Sequence, residues 1–128
     1  MILVIRTDRS EAQVGLFDGQ KEIDVEKWEA GRQLADTLLD RIKDLLKKHN
    51  LEWKDLSGIV AFKGPGSFTG LRIGVTVANT IAYAQKIPIV DANGENWVSD
   101  GQKRLQKDEN DTQIIPEYGA KPNITRPK

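Results

Sequence analysis

The run Gly64-Pro65-Gly66-Ser67-Phe68-Thr69-Gly70 is the stretch whose residue types come nearest to a chemistry. Glycines between a strand and a helix let backbone N–H groups converge, and a helix N-terminus behind them favours an anion. The spacing is GxGxxxG, however, and no Lys-Ser or Lys-Thr follows the last glycine. Nothing in the run would reach a terminal phosphate or hold magnesium, so it is neither a Walker A loop nor a dinucleotide fingerprint. As a phosphate signal it is weak. The competing reading is structural: Gly64, Pro65, Gly66 and Gly70 shape a tight crossover, and Ser67 or Thr69 caps the helix.

The other candidates for catalysis are thinner. The chain has no cysteine, which removes disulfides, zinc ribbons, iron–sulfur sites and a thiol nucleophile. Its one histidine, His49, stands at a helix end, where charge–dipole and capping roles come first. Ser67 lacks the G-x-S-x-G order of a nucleophile elbow and has no histidine placed to serve it. Asp36, Asp40 and Asp44 share a helix face with lysines nearby, the pattern of a solvated face rather than of a cation site. Asp8, Glu11 and Asp18 sit near turns, and Arg6 on the first strand spoils a two-metal arrangement. The expectation is no catalytic residue, no metal and no cofactor.

These residues need elements to place them. Ile2–Thr7 and Ala12–Phe17 are apolar runs, Asp18-Gly19 is a hairpin turn, and Gln20–Trp28 alternates loosely. Together they predict a three-stranded antiparallel meander. Arg32–Lys48 carries Ala35, Leu38, Leu39, Ile42, Leu45 and Leu46 at helical spacing, with charges opposite. Lys47, Lys48 and His49 suit its C-terminal dipole, and Asn50 follows as the C′ residue. Ile59–Phe62 reads as a buried strand, Leu71–Gln85 as a helix and Ile87–Val90 as another strand. From Asn93 the chain turns polar, with Trp97, Val98 and Leu105 as apolar anchors and room for one short helix. The order β-β-β-α-β-α-β predicts an α/β fold, a mixed sheet of about five strands with two main helices. That is the ribonuclease-H-like arrangement, a single actin/Hsp70-type lobe. The expected division is a lobe over 1–92 and a polar extension over 93–128.

The helix after the glycines makes a demand of its own. Between Gly64 and Gln85 the only charge is Arg72. Gly70, Gly74, Ala78 and Ala82 form a row of small residues that lets another backbone come close. A helix apolar on every side is buried on every side. Either it is sandwiched between the sheet and the first helix, or it also forms a subunit interface. We take the second reading, with Leu38, Ile42, Leu71, Val75, Ala78, Asn79 and Ala82 facing a partner. Arg72 then needs a carboxylate or carbonyl partner.

The 128 residues bring 19 basic and 19 acidic side chains, and a pI near 6.6. That length suits one domain, and the charge balance argues against a dedicated nucleic-acid binder. No run reaches the roughly 18 apolar residues of a membrane helix. A soluble, cytoplasmic protein is expected.

Gly64-Pro65-Gly66-Ser67-Phe68-Thr69-Gly70-Leu71-Arg72-Ile73-Gly74, followed by Ala78 and Ala82, strongly resembles the bacterial TsaB (YeaZ) family. The flanking strands and the first helix fall in matching order over residues 1 to about 92, and Pro116–Tyr118 is weakly similar to an element near that family's C-terminus. The resemblance implies a non-catalytic scaffold in synthesis of N6-threonylcarbamoyladenosine in tRNA. It implies pairing with a TsaD-like catalytic subunit through helices of the first lobe, with a TsaE-like ATPase joining the pair. In isolation it implies a homodimer, and contact with tRNA only through partners. Two features depart from the family. Arg6-Thr7-Asp8 stands where an Asp-Thr-Ser-like sequence is usual, and about 36 residues after Ala92 are too few for a second lobe, so a minimal version is expected. The alternatives of another class are a small ribonuclease-H-like nucleotide-binding or hydrolytic enzyme, or a self-contained homodimeric binding module.

Overall fold

The computed structural model describes residues 1–115; the Pro116–Tyr118 island and the rest of the expected tail lie outside them. The chain runs through β1 (Ile2–Arg6), β2 (Glu11–Asp18), β3 (Lys21–Glu29), α1 (Leu34–Lys48), β4 (Gly58–Phe62), α2 (Phe68–Gln85), β5 (Ile89–Ala92) and α3 (Trp97–Gln106). The five strands form one sheet in the order β3-β2-β1-β4-β5. The first three are an antiparallel meander, and β1, β4 and β5 run parallel to one another. Gly19 turns the β2–β3 hairpin at φ 62°, a backbone region that glycine enters without steric cost. Ile23 is an extra residue on β3: Leu16 pairs with Asp24, and Phe17 pairs with Glu22. This bulge brings Ile23 against the core shared with α1 and α2.

Two cores follow from the two sheet faces. Leu3, Ile5, Val14, Leu16, Ile59 and Ile89 meet α1 and α2 on one side. Val4, Val60, Phe62 and Val90 meet Trp97 on the other. Strand β4 is buried along its whole length because both faces are covered, as parallel strands require. Helix α3 lies close on β4. A Cβ at Gly101 would collide with Val60, and Trp97 stands edge-on to Phe62 with ring centroids 5.6 Å apart. The expected boundary at residue 92 therefore needs correction. Trp97 and Ile114 are core residues, so the polar stretch supplies a third helix and seals the same lobe. Its polarity misled because a helix lying on the rim of a sheet needs only a few anchors.

Local signals hold well at α1. His49 ends the helix, Asn50 takes φ 58°, and the Leu51 N–H returns to the Leu46 carbonyl at 2.8 Å. His49 Nε2 and Lys48 Nζ both reach the Asp24 carboxylate, at 2.8 and 3.1 Å. The hydrogen bond with His49, then that from Lys48, holds the Asp24 carboxyl below its ordinary range. The apolar stripe of α1 is narrower than its sequence pattern, for Ala35 and Leu39 are exposed.

Among the described residues, the far edge of β5 is covered by side chains and a loop rather than by another strand. Asn110 Oδ1 accepts the Ile89 N–H, the Asp111 N–H donates to the Ile89 carbonyl, and the Asp111 carboxylate accepts the Asp91 N–H. Arg104 donates to the Asp91 carbonyl and holds Asp91, Asp111 and Glu109 together. Side chains thus occupy groups that would otherwise recruit a foreign strand. Burial pushes the Asp111 carboxyl up, but the Arg104 and Asp91 N–H hydrogen bonds outweigh it and leave it below its ordinary range. Such a carboxyl adds stability above its unfolded value near pH 4 and loses it as pH falls through the lowered folded value. We expect Arg104→Ala to cost about 1–2 kcal/mol at pH 7. The gap should narrow as pH falls below about 4, through the lowered folded value of Asp111. Urea unfolding of both chains across that range checks this; equal stability at pH 7 would show that Arg104 does not hold the edge.

Candidate protein interface

One side of the glycine-rich run is held by the protein's own β1–β2 turn. Ser67 caps α2, its Oγ accepting the Gly70 N–H at 3.4 Å, so the helix begins at Phe68 and absorbs Thr69 and Gly70 into its first turn. Gly64 takes φ 118°, and the Gly64–Pro65 peptide is cis. The β1–β2 turn packs directly against this loop. The Ser67 N–H donates to the Asp8 carbonyl at 2.8 Å, and Thr7 Oγ1 donates to the Gly70 carbonyl at 2.8 Å. A Cβ at Gly66 would strike Asp8, and one at Gly70 or Gly74 would strike Thr7. Arg6 secures the turn from behind: its Nε donates to Asp8 at 2.7 Å, and its guanidinium lies 4.0 Å over the Phe62 ring. The backbone that the small-residue row admits is therefore the chain's own.

That contact rearranges the expected interface. Leu38, Ile42, Leu71, Val75, Ala78 and Ala82 are all buried within the protomer. Asn79 is half-buried and engaged twice, donating to the Ile114 carbonyl at 3.1 Å and accepting the Ile114 N–H at 2.8 Å. All seven are brought close to the lobe's interior, and none is free to face a partner. The correction has a physical reason. Sequence periodicity reveals that a helix is apolar on many sides but not how much of it the sheet, the first helix and an incoming turn can cover. Arg72 departs from expectation too; it is exposed and needs no buried counter-charge.

The exposed surface of α2 includes the row Arg72, Thr76, Thr80 and Tyr83, with Phe68 at its head, besides Thr69 and Ala84 near the helix ends. Tyr83 is 88% exposed and Phe68 52%. Thr80 Oγ1 donates back to the Thr76 carbonyl at 2.8 Å, so the row is polar but uncharged beyond Arg72. Helix α1 packs beside α2 and adds Ala35 and Leu39, the latter 46% exposed. The threonines were legible as helix residues, yet nothing local marked them as the outward row. Asp36, Asp40 and Asp44 are solvent-exposed, and among the described residues no group of three or more His, Asp or Glu side chains is placed to hold a metal ion. No described helix is long and apolar enough to cross a membrane.

Gly74→Ala separates the two readings by sign. On an open helix face the change would stabilise the isolated chain by about 0.5–1 kcal/mol. Against Thr7 it should destabilise by about 1–3 kcal/mol. Thermal or urea unfolding of the isolated protein decides, and a stabilised variant would reopen the row as a free surface.

Residues 28–96, just over half of the chain, match the family model described as TsaD, tRNA N6-adenosine threonylcarbamoyltransferase. Over 48 residues the chain is 52% identical to the tRNA threonylcarbamoyladenosine biosynthesis protein TsaB of Bacillus subtilis, covering 38% of this chain and 21% of that protein. It is 30% identical over 90 residues to TsaB of Escherichia coli, covering 70% of this chain and 38% of that protein. Among solved structures, YeaZ from Pseudomonas aeruginosa superposes with a TM-score of 0.69 at 24% identity, over 83% of this chain and 49% of that one. The chain thus spans less than half the length of these relatives. Five strands with three helices, the matched loop region and these likenesses agree: the chain belongs to the TsaB (YeaZ) family, within the wider group that the TsaD model describes.

Proposed function

We propose that the chain acts in formation of N6-threonylcarbamoyladenosine in tRNA as a non-catalytic scaffold that pairs with a TsaD-like catalytic subunit. The names of its relatives support the pathway. One observation supports a scaffold over an enzyme: the glycine-rich loop spends its Ser67 N–H on the Asp8 carbonyl and its Gly70 N–H on Ser67 Oγ, so these two donors are engaged within the chain. The pairing surface in this reading is the outward row of α2, Arg72, Thr76, Thr80 and Tyr83, with Ala35 and Leu39 of α1. The rest of α1's solvent side carries Asp36, Asp40, Lys43, Asp44 and Lys47, which a partner would have to desolvate. The α2 row asks for little of that. Without the catalytic subunit the same row pairs two copies, and a TsaE-like ATPase joins the heterodimer. Contact with tRNA comes through these partners, and the protein works in the cytoplasm.

Co-expression with the TsaD homologue of the same organism, followed by size exclusion with light scattering, tests this. A one-to-one complex is expected. Thr76→Arg with Thr80→Glu should weaken it about a hundredfold or more while circular dichroism stays unchanged, because both sites are exposed. Substitution at Ala78 would not serve, since that side chain is interior. Unaltered pairing in the double variant places the contact elsewhere, and no complex at all removes the scaffold reading.

A further inference from the structure

The connection between β5 and α3 carries the pair Asn93-Gly94, which neither the fold core nor the proposed interface uses. Both residues are exposed. Gly94 has φ +83°, and no atom lies within 4 Å of where its Cβ would stand. Among the described residues no hydrogen bond engages the Asn93 side chain or the Gly94 N–H. The other described asparagines differ. Asn79 and Asn110 have their amides held by hydrogen bonds, and Asn50 and Asn96 precede the bulky Leu51 and Trp97.

We propose that Asn93 is a site of spontaneous deamidation and that its isoaspartyl product unseats α3. The Gly94 nitrogen attacks Asn93 Cγ. A nitrogen–carbon bond forms, the Cγ–Nδ2 bond breaks, and the Gly94 proton departs with the amide nitrogen as ammonia. Water then opens the five-membered imide at one of its two carbonyls. Opening at one restores a normal backbone with aspartate at the position; opening at the other routes the main chain through the side-chain carbon and lengthens it.

The two products act differently because of what lies on either side. Immediately before, the Lys63 N–H holds the Ala92 carbonyl at 3.0 Å. Immediately after, Asn96 ends the turn, its carbonyl accepting the Asp100 N–H at 2.8 Å, and Trp97 enters the core against Phe62. The added carbon sits between two fixed points, and the close seat of Gly101 on Val60 leaves α3 no room to slide. Aspartate keeps the spacing and only adds a negative charge near a helix N-terminus, which the helix dipole favours.

The test ages the full-length chain at pH 8 and 37 °C beside a sample held at pH 5. Peptide mapping by mass spectrometry locates the amide-to-acid conversions, isoaspartyl methyltransferase labels the rearranged product, and hydrogen exchange follows the α3 amides. Asn93 should convert before Asn50, Asn79, Asn96 and Asn110, faster at pH 8. The labelled fraction should exchange faster over residues 97–106, while Asn93→Asp exchanges there as the unaged protein does. Survival of the Asn93 amide after another asparagine has converted would overturn the proposal. So would a labelled fraction whose α3 exchange is unchanged.

Discussion

The β1–β2 turn meets the first two turns of α2 at glycines, with only Thr7 and Asp8 of the turn against them, and the rest of the lobe is arranged around that meeting. Thr7 lies against Gly70 and Gly74, and Asp8 against Gly66, at separations that a single added methyl would violate. The contact sets both the depth and the rotation of α2 on the sheet. With the glycines turned inward, Leu71 reaches the core under α3, while Val75, Ala78, Ile81 and Ala82 reach the core shared with α1. Arg72, Thr76, Thr80 and Tyr83 are left on the outside. Packing of this density admits few alternatives, since a one-methyl change at a close approach must displace backbone.

A lobe this small must also close its edges and both faces of its sheet. Helices α1 and α2 cover one face, and α3 covers the β4 and β5 side of the other. The two edge strands are protected by different means. Strand β3 carries Lys21, Glu22, Asp24, Glu26, Lys27 and Glu29, charges that discourage pairing with another chain. Strand β5 is too short for such a defence. Its outward polar groups are instead taken by Asn110, Asp111 and Arg104. The same segment continues to Ile114, which Asn79 grips by both backbone groups, so the end of the described chain is tied to α2.

These constraints bear on function by subtraction. The glycine-rich loop spends the Ser67 and Gly70 N–H groups within the chain. Apart from Phe68 and Tyr83, the large apolar side chains of α2 are buried or half-buried, so its outward row is threonine hydroxyls, one tyrosine, one arginine and Phe68 rather than a greasy stripe. Interfaces of that kind gain more from close fit and from having few charges to desolvate than from apolar area.

Local chemistry made much of this readable. Element order followed from periodicity, the α1 terminus from Lys47, Lys48, His49 and Asn50, the hairpin from Asp18-Gly19 and the α2 cap, down to Ser67 or Thr69, from the residues before it, because each depends on residues within a few positions of one another. The absence of cysteine and the single histidine bounded the chemistry with no structure at all. Residue order was silent on which side of α2 faces outward, on what approaches Gly70 and Gly74, and on whether the polar stretch after Asn93 joins the core. Those answers rest on pairs such as Thr7 with Gly70, 63 positions apart, and Asn79 with Ile114, 35 apart. No local pattern encodes such pairs. Only the folded chain, by bringing the β1–β2 turn onto α2, decides that the small residues serve the protein's own packing.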